Sequence, residues 1–464
     1  MNPTTVEING TVTDANSAPI VGATLHFGSQ TVNSTQNGAY IIPNVTIPAG
    51  QTSLVGNVTA SATVKGVAYS GQNQVEALAT DPITRNVQIV LSPTATQGSI
   101  LGVVVDTNGN RVPGARVFAN VGPFSQPATP TQQFFISLGS FNTTARSDGS
   151  FTLPALPPDN QYTVTASFAG YINQTTNNIA VLASSSTNVT LTLTKSTTGS
   201  SPPAPTGLFA QTITAPLSPT RAAGTAGTSE GFLNVIRQIL LQKRGMLGHR
   251  AAAAQQIVLH RSITRDTPSG SLIETDVFWD YVQLDNLFGY DIIRATTLSP
   301  ANFVSIATVR DPLADRFADN DPILTPDVPY YYSIARLDTI NFPKNQGGIG
   351  DAVQPPVTVE PLNVLSLVSP ASGSVTSATP TFTWSTVTRA ALYKALVYDQ
   401  FPTLQSDTDP NGVAPIWSAD FSGTTGTYAG PALISGHTYY WAVLGQDSVA
   451  SAFTISPLQT FVAP

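Results

Sequence analysis

The residues of this chain best suited to chemistry are a short acidic run, Asp407-Thr-Asp409-Pro-Asn411-Gly412. Side-chain oxygens at the first, third and fifth positions, with glycine at the sixth for a sharp turn, make up the first half of a calcium loop. The twelfth position is Ser418, so the bidentate carboxylate of such a loop is missing there, and Asp420 is the acid placed to substitute. Two readings stand. Asp407, Asp409 and Asn411 hold calcium, or they are Asp and Asn used for the backbone-bonding side chains that shape turns. A second acidic cluster, Asp311, Asp315, Asp319 and Asp321, poses the same choice.

Other chemistries find less footing. The chain has no cysteine, which removes disulfides, thiolate metal sites and thiol nucleophiles together. The four histidines, His26, His249, His260 and His437, never come at the close spacing of a zinc motif. Gly227-Thr-Ser229-Glu-Gly231 matches the nucleophile-elbow pattern, but that turn must follow a buried strand and here a Gly/Ala/Thr run precedes it. Ser229 is better placed as a helix N-cap. No local signature of a Ser-His-Asp triad is present.

The elements that would position these residues are modular. Gly10-Thr-Val-Thr-Asp14, Gly22-Ala23 and Gln36-Asn37-Gly38-Ala39-Tyr40 are echoed by Gly102-Val-Val-Val-Asp106, Gly114-Ala115 and Ser147-Asp148-Gly149-Ser150-Phe151. In each copy a β-rich run reaches an Asp, and an Asn-Gly or Asp-Gly step then folds a hairpin whose outgoing strand begins near an aromatic. A repeat this long is a whole domain. At 464 residues the chain needs several cores. Only 10% of residues are charged, with 36 Pro and 35 Gly, which fits short strands and many turns rather than helical bundles. A formal charge of −7 gives no reason to expect nucleic acid. No apolar run is long enough to span a membrane. The opening Met1-Asn-Pro-Thr-Thr lacks the basic and apolar regions of a signal peptide, and the expectation is an exported protein whose signal has been removed.

The repeated residues resemble the carboxypeptidase regulatory-like domain, a prealbumin-like sandwich that usually serves as a non-catalytic appendage of secreted or surface proteins. The resemblance covers most of residues 5–195. Two later stretches are similar to fibronectin type III domains: Pro205-Thr-Gly-Leu208, Trp279, Gly289-Tyr290 and Tyr330-Tyr-Tyr332 in one, Pro380-Thr-Phe-Thr-Trp384, Trp417 and Tyr439-Tyr-Trp441 in the other. The resemblance implies that Trp279 and Trp384 fill the sandwich centres and that Tyr330 and Tyr439 are tyrosine corners. The expected fold is all-β: four tandem Ig-like or prealbumin-like sandwiches over residues 1–95, 96–198, 199–361 and 362–464, each keeping its own sheets.

The third module departs from its family by an insertion, expected to be helical over 215–265. Phe232, Val235, Ile236, Ile239 and Leu240 recur at helical spacing as an amphipathic stripe. Residues 221–265 hold seven basic residues (Arg221, Arg237, Lys243, Arg244, Arg250, Arg261, Arg265) against one acid, Glu230. The stripe caps a sandwich or neighbouring domain, or docks on a partner subunit or anionic surface; it is too short and poorly flanked for lipid anchoring. A second unusual element, Val121–Thr144, carries Phe134 and Phe135. Seven Asn-x-Ser/Thr sequons, at Asn9, Asn33, Asn44, Asn57, Asn142, Asn173 and Asn188, sit in the first two modules.

The resulting expectation is a non-enzymatic extracellular or cell-surface protein, structural or adhesive, such as a subunit of a surface layer, sheath or filament. It would self-assemble through domain–domain and strand-edge contacts, with a cell-surface partner or glycan as a further ligand and calcium as the one candidate cofactor. The alternatives are a carbohydrate- or protein-binding accessory region of a secreted enzyme, and a hydrolase whose site the sequence hides.

Overall fold

The computed structural model describes residues 3–15, 20–35, 38–79, 83–121, 141–196, 203–216, 271–280, 287–309, 312, 314, 316–319, 321, 323–338, 352–402 and 413–464. Among them the regular elements are strands and two short 3₁₀ turns.

The first module comprises β1 (Thr4–Asp14), β2 (Thr24–Phe27), β3 (Gln30–Asn33), β4 (Ala39–Ile47), β5 (Ser53–Val64), β6 (Val67–Leu78) and β7 (Ile83–Pro93). The second comprises β8 (Gly98–Asp106), β9 (Arg116–Val121), β10 (Phe141–Thr144), β11 (Ser150–Leu156), β12 (Asp159–Ser167), β13 (Tyr171–Ile172), β14 (Gln174–Val181) and β15 (Ser186–Lys195). The repeat seen in sequence is a repeat in space. Strands β4-β1-β7 correspond to β11-β8-β15, and β3-β2-β5-β6 to β10-β9-β12-β14. In both copies the first strand runs parallel to the last, β1 with β7 and β8 with β15.

The repeated glycine at the head of each motif has a packing cause. Gly10 lies opposite both Tyr40 and Val87, and Gly102 opposite both Phe151 and Val189. A Cβ on Gly10 would come 1.8 Å from the Val87 carbonyl oxygen; on Gly102 it would come 2.1 Å from that of Val189 and 2.6 Å from the Phe151 ring. Only a residue without Cβ lets two strands and an aromatic close here.

The third module comprises β16 (Phe209–Pro216), β17 (Ser271–Phe278), β18 (Leu287–Ala295), β19 (Val304–Val309), β20 (Arg316–Asp319), β21 (Tyr330–Asp338) and β22 (Val357–Val359). The fourth comprises β23 (Leu367–Ser369), β24 (Ser374–Val375), β25 (Thr381–Trp384), β26 (Ala390–Tyr398), β27 (Trp417–Phe421), β28 (Thr425–Thr427), β29 (Thr438–Asp447), β30 (Ala452–Ile455) and β31 (Gln459–Val462). Strands β20-β17-β16 face β19-β18-β21-β22, and β23-β25-β28 face the β27-β26-β29 layer. Trp279 and Tyr330 (1% and 2% exposed) fill one core, Trp384 and Tyr439 (3% and 2%) the other. The tyrosine corners form as expected. The Tyr330 hydroxyl donates to the Ile323 carbonyl at 3.1 Å, and the Tyr439 hydroxyl accepts the Ile434 N–H at 2.9 Å. Tyr162 makes an equivalent bond to the Pro157 carbonyl at 2.8 Å in the second module, a corner the sequence reading missed.

Two expectations need correction. Residues 215 and 216 belong to strand β16, so the insertion in the third module begins after Pro216. The third and fourth modules do not keep separate sheets. Strand β16 pairs in parallel with β30, Thr212 with Ala452 through Thr214 with Thr454, making one nine-stranded sheet that crosses both modules. The physical reason is that each module leaves an unpaired strand edge there, and pairing two edges satisfies both.

Candidate interaction surfaces

The residues proposed for calcium, Asp407, Asp409 and Asn411, lie outside the described residues, as do Phe134, Phe135, the stripe Phe232, Val235, Ile236, Ile239 and Leu240, and Asp311 and Asp315. Among the described residues no cluster of His, Asp or Glu is arranged to hold a metal ion. Asp319 and Asp321 are committed to another task. Asp319 is buried against the Arg294 guanidinium and accepts the Tyr332 hydroxyl at 2.8 Å, and Asp321 meets Arg294 at 3.4 Å. Burial opposes the charge on Arg294, but Asp319, Tyr332 and Asp321 around it outweigh that and raise its pKa. This is a buried ion-pair network of the third core. His26 bonds Thr31 at the surface, and His437 bonds the Asp399 carbonyl at 2.7 Å beside the Tyr439 ring. His26 stays within its own hairpin, and His437 ties its turn to the end of β26.

The structure sorts the sequons. Asn9 is buried, Asn142 is bonded to the neighbouring module, and Asn173 donates to the Leu287 carbonyl of the third module. Asn33, Asn44, Asn57 and Asn188 are exposed.

The sites with the most definite geometry are the junctions between modules. At the first, Asn73 on β6 is 8% exposed, and its Oδ1 accepts the Asn142 N–H at 2.9 Å and the Asn142 Nδ2 at 2.8 Å. Thr144 donates to Gln74 alongside. The connecting 3₁₀ turn, Thr94–Thr96, ends at Gln97, whose Nε2 donates to the Ser70 and Ser92 carbonyls at 2.5 and 3.0 Å. Ser184 of the second module donates to the Ala95 carbonyl at 2.8 Å. Strand β7 serves both sides: Ile89 and Leu91 pack in the first core, and Val90 between them packs in the second.

The third-to-fourth junction is built differently. On one side the shared sheet crosses it. On the other, Arg389 grips the connecting residues, donating to the Glu360 and Pro361 carbonyls at 3.1 and 2.9 Å and pairing with Asp327 and Glu360 at 3.1 and 3.2 Å. Where the shared sheet crosses, Ile213 and Ala215 of β16 join Leu396, Tyr398, Ala442, Leu444, Phe453 and Ile455 of the fourth module in a separate apolar cluster. That cluster lies on the sheet face opposite the fourth core, to which Ala395, Val397, Trp441 and Val443 belong.

Residues 99–194 match the carboxypeptidase regulatory-like domain family, so the second module carries such a domain, and the first repeats its strand plan. No curated protein matches the chain. Among solved structures, the chain is similar to the chicken CNTN1 FN1-FN3 domains, at 11% identity over 80% of this chain and 99% of that one, with a TM-score of 0.29. A shaft pilin, SpaA, from Lactobacillus rhamnosus GG aligns at 13% identity over 42% and 99% of the two chains, TM-score 0.18. A streptococcal ancillary pilin aligns at 9% identity over 77% and 95%, TM-score 0.17.

Proposed function

We propose that this chain is a non-enzymatic structural or adhesive protein of the cell exterior, a subunit of a surface layer, sheath or filament. The observation that carries this reading is the locking of its junctions: Gln97 and Asn73 tie the first module to the second, and a continuous sheet ties the third to the fourth. Modules on slack tethers reorient freely, whereas bonded junctions hold the spacing of whatever surfaces the modules present. An assembly subunit or stalk needs that property and a soluble enzyme does not. The large hydrophobic side chains most exposed among the described residues, such as Val449, Val375 and Ile434, are aliphatic, which disfavours an aromatic-lined sugar groove. Calcium binding by Asp407, Asp409 and Asn411 stays part of the proposal.

Electron microscopy of the native protein on its cells, and of the purified chain over a range of concentrations, tests the reading. Ordered arrays or filaments are expected. A particle that stays monomeric at every concentration and fractionates with the cell interior would end it.

A further inference from the structure

Three of the seven sequons already have their acceptor atom in use. An N-linked sugar joins asparagine at Nδ2. That nitrogen donates to Glu7 Oε1 at 3.2 Å from Asn9, to Asn73 Oδ1 at 2.8 Å from Asn142, and to the Leu287 carbonyl from Asn173. Asn9 is only 3% exposed and precedes Gly10, where even a Cβ would come 1.8 Å from the Val87 carbonyl oxygen. A sugar at any of the three would break a contact on which the fold or a module junction depends. Two of the exposed sequons have local reasons to exist. Thr35, the hydroxyl residue of the Asn33 sequon, donates to the Ala39 carbonyl at 3.2 Å. Asn44 sits at φ 56°, a left-handed conformation that asparagine tolerates better than most residues.

Asn57 and Asn188 are different. They stand exposed in the middle of β5 and β15, where asparagine is among the residues a sheet least favours. The two-residue period of a strand puts each sequon threonine, Thr59 and Thr190, on the same outward face as its asparagine. Val58 and Val189 between them point into the two cores. Both tripeptides read Asn-Val-Thr, yet duplication did not copy one from the other, because β5 corresponds to β12 in the repeat and β15 to β7. Each asparagine also has an aliphatic neighbour on its face that a sugar ring would cover: Val55, 49% exposed, beside Asn57, and the half-buried Leu101 opposite Asn188. We propose that Asn57 and Asn188 are N-glycosylation sites, placing a glycan on an outer sheet face of each of the first two modules. The inference rests on the exterior location argued above. The co-reactant is a lipid-linked glycosyl diphosphate. Nδ2 bonds to the sugar C1, the C1–O bond breaks, the diphosphate leaves with that electron pair, and the amide gives up one proton. No sequon follows Asn188 in the sequence, so the glycans leave the third and fourth modules bare and direct contacts between copies to them.

The test uses protein recovered from the outside of its own cells and read by peptide mass spectrometry, with electron-transfer fragmentation that leaves a sugar on its residue. The expected result is a mass increment of hexose or N-acetylhexosamine units on the Asn57 and Asn188 peptides and none on those of Asn9, Asn142 and Asn173. Thr59→Val and Thr190→Val keep the strand shape and remove the sequon hydroxyl. Each should strip the sugar from its own site alone and keep the circular dichroism of the parent; if a variant does not fold, the parent's spectra decide. Asn57 or Asn188 found bare in exterior protein would overturn the assignment of that site. Sugar on Asn9 or Asn142 would overturn the proposal as a whole, since exposure would then not select the site. An increment that survives both valine variants would assign the sugar to another attachment and overturn it equally. Fractionation of the protein with the cell interior would instead end the exterior reading, an outcome distinct from bare asparagines on exterior protein.

Discussion

The first and last junctions of this protein do the same job with opposite chemistry. Between modules one and two, apart from Val90 of β7 in the second core, the contact is polar: amide side chains at Asn73, Gln74, Gln97 and Asn142 bond across a linker of a single 3₁₀ turn. Between modules three and four the contact is a strand pairing backed by apolar side chains, with one arginine clamp at the linker. The difference teaches where specificity resides. Amide–amide junctions depend on a few side chains, each replaceable by substitution, and leave backbone edges as they were. A sheet seam is held by main-chain bonds that no single side chain owns, so it is sensitive to the packing that keeps the two strands in register.

The largest effect is expected from Phe453→Ala. This ring is 1% exposed beside Ile213 at the seam, and removing it leaves a cavity under the paired strands. The loss should be about 3–5 kcal/mol, the range for emptying a buried aromatic site. Calorimetry should show the third and fourth modules melting earlier and as separate transitions, while the first two melt unchanged. A single unshifted transition for the last two modules would show that the seam contributes nothing to their coupling.

A smaller loss is expected from Asn73→Ala at the polar junction, about 1–3 kcal/mol, because the half-buried Asn142 amide groups lose their acceptor. The readout is protease cleavage near Thr94–Thr96, which should accelerate as the modules part. Gln97→Ala should act in the same direction by about 1–2 kcal/mol, since it removes donors to the Ser70 and Ser92 carbonyls. If the double variant costs no more than either single one, the two amides work as one unit.

Much of this was legible from residue order, and the misses have causes. The repeated glycines, the Trp279 and Trp384 centres and the tyrosine corners announce themselves because each needs one residue type at one place. Strand β6 carries little strand signal in its sequence. Its inward positions include Gly71 and Asn73 where a strand signal wants β-branched residues, and those two are small or polar because another strand or module approaches them. The turn that starts it, Lys65-Gly66, takes positive φ at both residues (47° and 81°) but lacks the Asn-Gly or Asp-Gly signature of such a turn. The β16–β30 seam was invisible for a different reason. Pairing between modules leaves no periodicity of its own, and the only hint was that β30, Ala452-Phe-Thr-Ile455, is apolar on both faces. Of the candidate site residues, Asp319 was legible as an acid in a cluster but not as the partner of Arg294, since that pairing depends on two strands of opposite sheets.

The finest test of the comparison is at Arg389, where the apolar junction borrows the polar strategy. Its side chain is about one-third exposed, and its carboxylate partners Asp327 and Glu360 are more exposed still, so the ion pairs themselves contribute little. The bonds to the Glu360 and Pro361 carbonyls are what fix the linker. Arg389 also sits at φ 67°, a left-handed conformation that costs a residue with a Cβ about 1–2 kcal/mol. Arg389→Ala removes the clamp and keeps that strain, so a loss of about 1 kcal/mol is expected. Arg389→Gly removes both, and the relieved strain should bring its stability back to about that of the parent. Arg389→Lys cannot reach two carbonyls and two carboxylates with one ammonium and should fall near the alanine variant. Urea melts at low and high salt would separate the contributions: the alanine loss should shrink only slightly in salt, because carbonyl bonds carry it. A glycine variant less stable than the alanine one would mean that the left-handed backbone at 389 is not strained.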